Sequence, residues 1–357
     1  MLFSFAPAWR PGDLSVFVLD VSRTIILPVA HNRTISNPGL PLSWSPDGQH
    51  IAYMSYPQRR ETYVFDFANG QRQSLNSLET LDAYNAVWSP DGKMIAFMGG
   101  SSDLDIFVAN ADGSGVRNLT RTGSGYTGLN WSPDSQQIAF NSLGANSEIY
   151  AVNLESGVMT NLTEHIARDM TPAWSPDGRS IAYISDRDGI GFHVYMMEAD
   201  GSNVRRIMDI YPYDTAWSLQ WSPDSRQIVY GSNSWVGGSD IYLVDVETRH
   251  VINVTNDDAR DASPSWSPNG RWIAFESRRE GSWNVYVADS KGDEVRRVTS
   301  SLRDSRRPIW SPDSRQIAYI SNQGRGWNLY VIDVDSLNPV RLTRTSGVHF
   351  SPAWRPS

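Results

Sequence analysis

Short apolar runs, each followed by a cluster of turn residues, recur along the whole of this chain. In the stretch from Trp266, a Ser-Pro-Asn-Gly turn is followed by Ile273-Ala274-Phe275, then Val285-Tyr286-Val287-Ala288-Asp289, then Val295 to Thr299. The runs have strand length, are rich in β-branched and aromatic residues, and are bounded by turn formers, which predicts strands rather than helices. Pro264-Ser265-Trp266 predicts a fourth strand ahead of the turn. One unit is therefore expected to be four antiparallel strands, here A to D.

The unit repeats. Trp-Ser-Pro-Asp-Gly or a near copy begins at Trp44, Trp88, Trp131, Trp174, Trp221, Trp266 and Trp310, at steps of 44, 43, 43, 47, 45 and 44 residues. A period of this size filled with short strands predicts an all-β fold, a β-propeller. In the A–B turn, Pro presets φ at the second position, Asp or Asn suits the third, and Gly supplies a left-handed fourth. Gly48, Gly92, Gly178 and Gly270 hold that place, with Ser135, Ser225 and Ser314 in the other copies. The tryptophan at the end of strand A is read as a wedge between sheets, since every copy carries it at the same position.

The ends suggest how the ring closes. Phe350-Ser351-Pro352-Ala353-Trp354 reads as a strand A without successors, whereas Leu2 to Phe5, Val16 to Asp20 and Thr24 to Pro28 read as strands B, C and D without a strand A. Eight blades are expected, the last combining strands B–D from the N-terminus with strand A from the C-terminus and leaving no open edge. Seven is the alternative, because Pro7-Ala8-Trp9-Arg10-Pro11 copies Pro352-Ala353-Trp354-Arg355-Pro356. Residues 1–357 are read as a single propeller domain, because a propeller spends its length on blades rather than on separate cores.

These repeats resemble the TolB-type propeller repeat, also called the WD40-like β-propeller repeat. The resemblance rests on Trp-Ser-Pro-Asp-Gly, on the Ile-Ala-Phe/Tyr pattern at Ile51, Ile95, Ile138, Ile181, Ile273 and Ile317, on Ile/Val-Tyr-Val, and on the closing Leu-Thr of Leu119-Thr120, Leu162-Thr163 and Leu342-Thr343. It covers nearly the whole chain. It implies a fold shared by binding proteins, peptidase gates and a few enzymes, so activity has to be argued from the site. It also implies an extracytoplasmic setting such as the periplasm, with which a chain without cysteine is compatible. No signal peptide is read, because Leu2 to Phe5 is needed as a strand.

Composition narrows the partners. A net charge of −8 argues against general nucleic-acid binding, and no apolar run is long enough to cross a membrane. A monomer is expected. No Gly-Xaa-Ser-Xaa-Gly occurs, so a nucleophile elbow is not expected. His165 and His349 lie on D–A loops four blades apart, and His31, His50, His193 and His250 are scattered, which does not form a metal cluster. Asp186-Arg187-Asp188-Gly189 hints at calcium but lacks the later acidic ligands, and reads more simply as a polar B–C turn. No cofactor, no metal and no catalytic residue are assigned.

Function is expected on the face that carries the irregular B–C and D–A loops. Trp283 and Trp327 occupy matching positions, with Phe192 equivalent; Trp235, Tyr211, Tyr213 and Trp217 share the face. Such aromatics either anchor a ligand or pack over the neighbouring hairpin. Arg278, Arg279, Arg303, Arg306, Arg307 and Arg325, with Arg59 and Arg60, make one sector basic, and carboxylates from Glu79 to Asp261 dominate the rest. A lopsided field can orient a charged partner, although a solvated surface with chance clustering gives the same pattern. The expected function is a non-catalytic scaffold for a protein or peptide partner, an acidic one by charge, bound through Arg278, Arg279, Arg303, Arg306, Arg307, Trp235, Trp283 and Trp327. The alternative is a sensor or enzyme acting on a glycan or small ligand at the same face.

Overall fold

A computed structural model describes residues 2–6, 14–20, 25–32, 42–55, 61–76, 82–100, 104–144, 146–189, 191–209, 219–232, 238–323, 326–343 and 348–356. For 2–6, 14–20, 25–32, 42, 55 and 348–351 it describes the backbone alone. Trp235, Tyr211, Tyr213, Trp217, Arg325, Arg59, Arg60 and the segment Pro7–Pro11 lie outside the described residues. Every named element is a strand, and no described helix is long and apolar enough to cross a membrane.

Seven four-stranded antiparallel sheets follow one another along the sequence: blade 1 (42–74), blade 2 (83–118), blade 3 (126–161), blade 4 (169–208), blade 5 (219–253), blade 6 (261–297) and blade 7 (305–341). In each, the order is A-B-C-D. From blade 1 to blade 7, strand A of each blade packs on strand A of the next, so the A strands surround the centre and the D strands lie outermost. Strands B and C are apolar on both faces because each is covered by a blade on either side, as in Met94–Gly99 and His193–Glu198.

Three devices recur with the period. The serine of each A–B turn is buried; in blade 5, Ser222 Oγ accepts the Gln227 amide at 2.9 Å and donates to Asp224 Oδ1 at 2.6 Å. Such a hydroxyl clips the start of strand B to the end of strand A. In blades 2, 3, 5, 6 and 7 the tryptophan reaches back to the preceding blade, as where Trp131 Nε1 donates to Val87 O at 3.1 Å and Trp310 Nε1 to Ser265 O at 3.2 Å. Its role as a wedge between sheets follows directly. Finally, an aromatic pair stacks across strands B and C in all seven blades, from Tyr53–Tyr63 to Tyr319–Tyr330 at centroid separations of 5.3–5.9 Å.

Serine in the glycine slot also has a reason. Ser135, Ser225 and Ser314 keep a left-handed φ of 61–62°. Their hydroxyls accept the amides of Asp91, Asp177 and Asn269 in the preceding blade's turn at 3.0–3.1 Å. The hydroxyl thus offsets the strain that glycine would avoid.

The chain ends form a further four-stranded sheet, in which Leu14–Asp20 pairs with Ile25–Asn32 and with Leu2–Ala6, and Leu2–Ala6 pairs with Val348–Ala353. Eight blades were the main expectation, and this is corrected: seven blades stand in the ring, the count held as the alternative. The terminal sheet departs from the repeat that defines a blade. Its outermost strand has 8 residues, against 2–4 for strand D of the blades. Trp44 Nε1 of blade 1 is buried with no described hydrogen-bond partner, as is Trp174 Nε1 of blade 4. The C-terminal strand nevertheless lies between blades 7 and 1. Trp354 Nε1 donates to Ile309 O at 3.1 Å, and Arg355 Nε donates to Gly48 O at 2.9 Å.

Candidate functional site

The strand order places the start of every strand A beside the B–C loop of its own blade, on the face opposite the Trp-Ser-Pro turns. In blade 4 this corner is filled by an ion pair. Asp169, fully buried as the first residue of strand A, holds Arg187 of the B–C loop at 3.0 Å. Arg187 Nε donates to Ser185 Oγ at 3.1 Å, and its guanidinium lies 4.9 Å from the Tyr195 ring and 5.4 Å from that of Tyr183. Blade 6 repeats the construction: Arg279 lies 3.1 Å from Asp257 and 3.5 Å from the fully buried Asp261, over the ring of Tyr286 at 4.6 Å. Burial pushes the Asp261 carboxyl above the usual range, although the Ser277 and Thr255 hydroxyls and Arg279 pull it down.

A second cluster joins blades 6 and 7. Glu276, buried at the fifth position of strand B in blade 6, accepts Arg306 Nε at 2.9 Å and the Arg307 amide at 2.6 Å. The Arg307 amide is turned toward it by a β-bulge, where φ of Arg307 is 57° and the A–B register shifts between Arg306 and Ile309. The same bulge, with positive φ at the third position of strand A, occurs in blades 2, 3, 4 and 6 at Asn85, Gly128, Thr171 and Ser263. Arg306 stacks 4.5 Å from the Trp283 ring, and Trp283 in turn donates its amide to Asp304 Oδ1 at 3.0 Å. Beside this base, Arg303 and Arg307 are exposed and Leu302 is 96% exposed.

Trp283, Arg303, Arg306 and Arg307 are therefore brought together, on one rim between blades 6 and 7. Arg278 is exposed in the blade 6 B–C loop with its Nε on Gly281 O at 3.0 Å. Arg279 faces inward onto Asp257 and Asp261. Trp327 is half-buried and packs with Trp354 against the core of blade 7. The basic sector is thus partly neutralised from within, by Asp257, Asp261 and Glu276, and by Glu280, which pairs with Arg297.

Sequence reasoning counted Asp169 and Asp261 among the carboxylates of the acidic sector rather than as buried partners of arginine, and it missed Glu276. A faint signal existed: Arg-Asp precedes strand A at Arg168-Asp169 and Arg260-Asp261, and Ser-Xaa-Arg follows strand B at Ser185–Arg187 and Ser277–Arg279. The carboxylates of the Asp186-Arg187-Asp188-Gly189 turn are also engaged. Asp186 holds Arg168 at 2.8 Å, and Asp188 holds Arg206 at 2.7 Å together with the Tyr195 hydroxyl. His165 Nδ1 accepts the Ala167 amide, and buried His193 lies 3.9 Å from Asp209. Among the described residues no cluster of three or more histidine or acidic side chains is arranged to hold a metal ion.

The family model of the TolB beta propeller domain matches residues 29–145, 142–234 and 213–325. Among solved structures, dipeptidyl peptidase 4 from Porphyromonas gingivalis superposes with a TM-score of 0.67 at 14% identity, over 94% of this chain and 58% of that one. An oligogalacturonate lyase from Vibrio parahaemolyticus gives 0.62 at 14%, over 92% and 98%. A putative TolB from Agrobacterium tumefaciens gives 0.47 at 24%, over 68% and 90%. The chain thus spans just over half of the peptidase, and identities this low show the fold alone. By the family match, the chain belongs to the TolB β-propeller domain family.

Proposed function

We propose that this member of the TolB β-propeller domain family is a non-catalytic binding scaffold. It presents the loop face between blades 6 and 7 to an extended protein segment that carries acidic and apolar side chains. The observation that carries the reading is the rim itself, in which Leu302 projects next to exposed Arg303 and Arg307. Beneath them, Glu276, Arg306 and Trp283 hold one another in place. A rigid base reduces the ordering cost of binding, and an apolar side chain flanked by cations suits a segment of complementary pattern. Arg306 belongs to the base, because its removal would leave buried Glu276 without its cation.

The test compares capture of partners from source-organism lysate by wild type, Arg303→Glu/Arg307→Glu and Leu302→Asp. A partner retained by wild type, released by rising salt and lost from both variants is expected. A partner retained equally by all three overturns the placement.

A further inference from the structure

The cleft between blades 6 and 7 contains a cavity of about 320 Å³, a size within the usual range of small-molecule sites. Its lining includes Ser301, Leu302, Tyr319, Gln323 and Ile332. This is the cleft that, one blade earlier, is closed by charge. Counting from the matching threonines Thr255 and Thr299 at the end of strand D, and along strand B, Asp257, Asp261 and Arg279 of blade 6 correspond to Ser301, Ser305 and Gln323 of blade 7. Three charged side chains are thus replaced by three smaller neutral ones.

The consequences appear in the partners. Ser305 Oγ bonds Ser321 Oγ at 3.2 Å, in place of a carboxylate paired with arginine. The backbone carbonyl of Gln323 accepts the Tyr330 hydroxyl at 3.2 Å, and the Gln323 side-chain amide has no hydrogen-bond partner among the described residues. Tyr319 is 1% exposed, and its hydroxyl likewise has no described partner. Burial raises the Tyr319 phenol above its ordinary value, so it remains a proton donor at physiological pH. The matching cleft of blade 3 is plugged differently, by Tyr126 edge-on to Phe140 at 4.9 Å.

We propose that this cavity is a binding site for a small uncharged molecule with hydroxyls around an apolar ring face, the chemistry of a neutral hexose. Among the described residues that line it none carries a charge, so an ionised ligand would lose hydration without gaining a counter-ion from them. Tyr319 offers a donor and an acceptor, and Gln323 offers both from its amide. Ile332, Leu337 and Pro339 supply the apolar wall, and Leu302 stands at the mouth. The site shares Leu302 with the rim but none of its exposed arginines, so loss of hexose binding in Tyr319→Phe and loss of a partner in Arg303→Glu/Arg307→Glu are independent outcomes.

Saturation-transfer NMR on the whole chain with D-glucose and D-galactose tests this, with D-glucuronate as the charged control. Transfer to at least one neutral hexose is expected, with weaker transfer to glucuronate. Tyr319→Phe should weaken binding about five-fold through the lost hydrogen bond. The triple variant Ser301→Asp/Ser305→Asp/Gln323→Arg installs the blade 6 set and should abolish binding while the circular-dichroism spectrum stays native. No transfer to either hexose in wild type, equal or stronger transfer to glucuronate, or an affinity unchanged by Tyr319→Phe would overturn the proposal. The phenylalanine variant decides the matter even where the triple variant does not fold.

Discussion

The clefts in front of blades 4 and 7 share a backbone and a stacked tyrosine pair, yet they are finished in opposite ways. In front of blade 4, Asp169 and Arg187 are drawn out of water and neutralise each other against Tyr183 and Tyr195. In front of blade 7, Ser305 and Gln323 occupy the corresponding places, and a cavity remains. The repeat therefore dictates the blade and leaves the corner at the start of strand A open to local choice. A charged plug gives a closed seam, and a neutral one leaves room for a ligand.

The sharpest break between the two clefts is removal of the cation. Arg187→Met leaves Asp169 buried and unpaired, and should cost about 3–5 kcal/mol. Gln323→Met lines a neutral cavity with another neutral side chain, and should change stability by less than about 1 kcal/mol. Urea unfolding of both variants checks the pair. Equal losses would mean that the Asp169–Arg187 pair is no more than packing.

The A–B turn is the counterpart that every blade shares. Ser222→Ala removes a buried hydroxyl that accepts the Gln227 amide and donates to Asp224. A loss of about 1–2 kcal/mol is expected, because the amide is left without its acceptor. The same substitution at Ser132 should cost a similar amount, since its bonds to Gln137 and Asp134 have the same lengths within 0.1 Å. A large difference between the two would show that the blades are not equivalent units.

These two sites also separate what could be read in the chain from what could not. Ser222 and Ser132 lie inside the repeated motif, and each partner is within five residues, so local spacing exposes the device. Asp169 and Arg187 are 18 residues apart, on either side of strands A and B, and meet only because those strands pair. Glu276 was harder still. It sits where blades 1, 2, 4 and 7 place Met54, Met98, Ile184 and Ile320, and its partners are 30 and 31 residues downstream in the next blade. Arg279 and Arg306 consequently read as free loop cations, whereas the fold turns both onto buried carboxylates. Strand type was legible because its signal is local, and the pairing of the two chain ends in one sheet followed from the missing strands at each end; the blade count was not legible, because no Trp-Ser-Pro turn joins the strands of the terminal sheet.

Acidity distinguishes two kinds of aspartate in the same blades. Burial raises the Asp261 carboxyl, so its folded value lies above the unfolded one. Between those values unfolding releases a proton. Its contribution to stability is therefore greatest below about pH 4, the unfolded range, and declines as pH rises through the folded value. Asp313 is the reverse. The Ser311 hydroxyl holds it below the ordinary value, burial opposes this, and the Arg315 amide adds to it. Its contribution is present above about pH 4 and is lost as pH falls. Asp261→Asn should therefore compare more favourably with wild type at pH 7 than at pH 3.5, and Asp313→Asn less favourably. Urea midpoints at the two pH values give the signs, and the same sign for both would break the distinction.

The smallest effect is expected where two contributions oppose each other within one residue. Ser314 sits at φ 61°, a conformation glycine adopts without strain, so Ser314→Gly relieves the backbone. The same change removes the hydroxyl that accepts the Asn269 amide at 3.0 Å and ties blade 7 to blade 6. Relief and loss are each about 1 kcal/mol, so the net change should fall within about 0.5 kcal/mol of zero. Ser314→Ala separates them, because alanine loses the hydroxyl and keeps the strain, and it should be the less stable of the two variants. If glycine proves as damaging as alanine, the hydroxyl alone sets the balance, and the alternation of glycine and serine around the ring is a pattern of inter-blade latches rather than of turn strain.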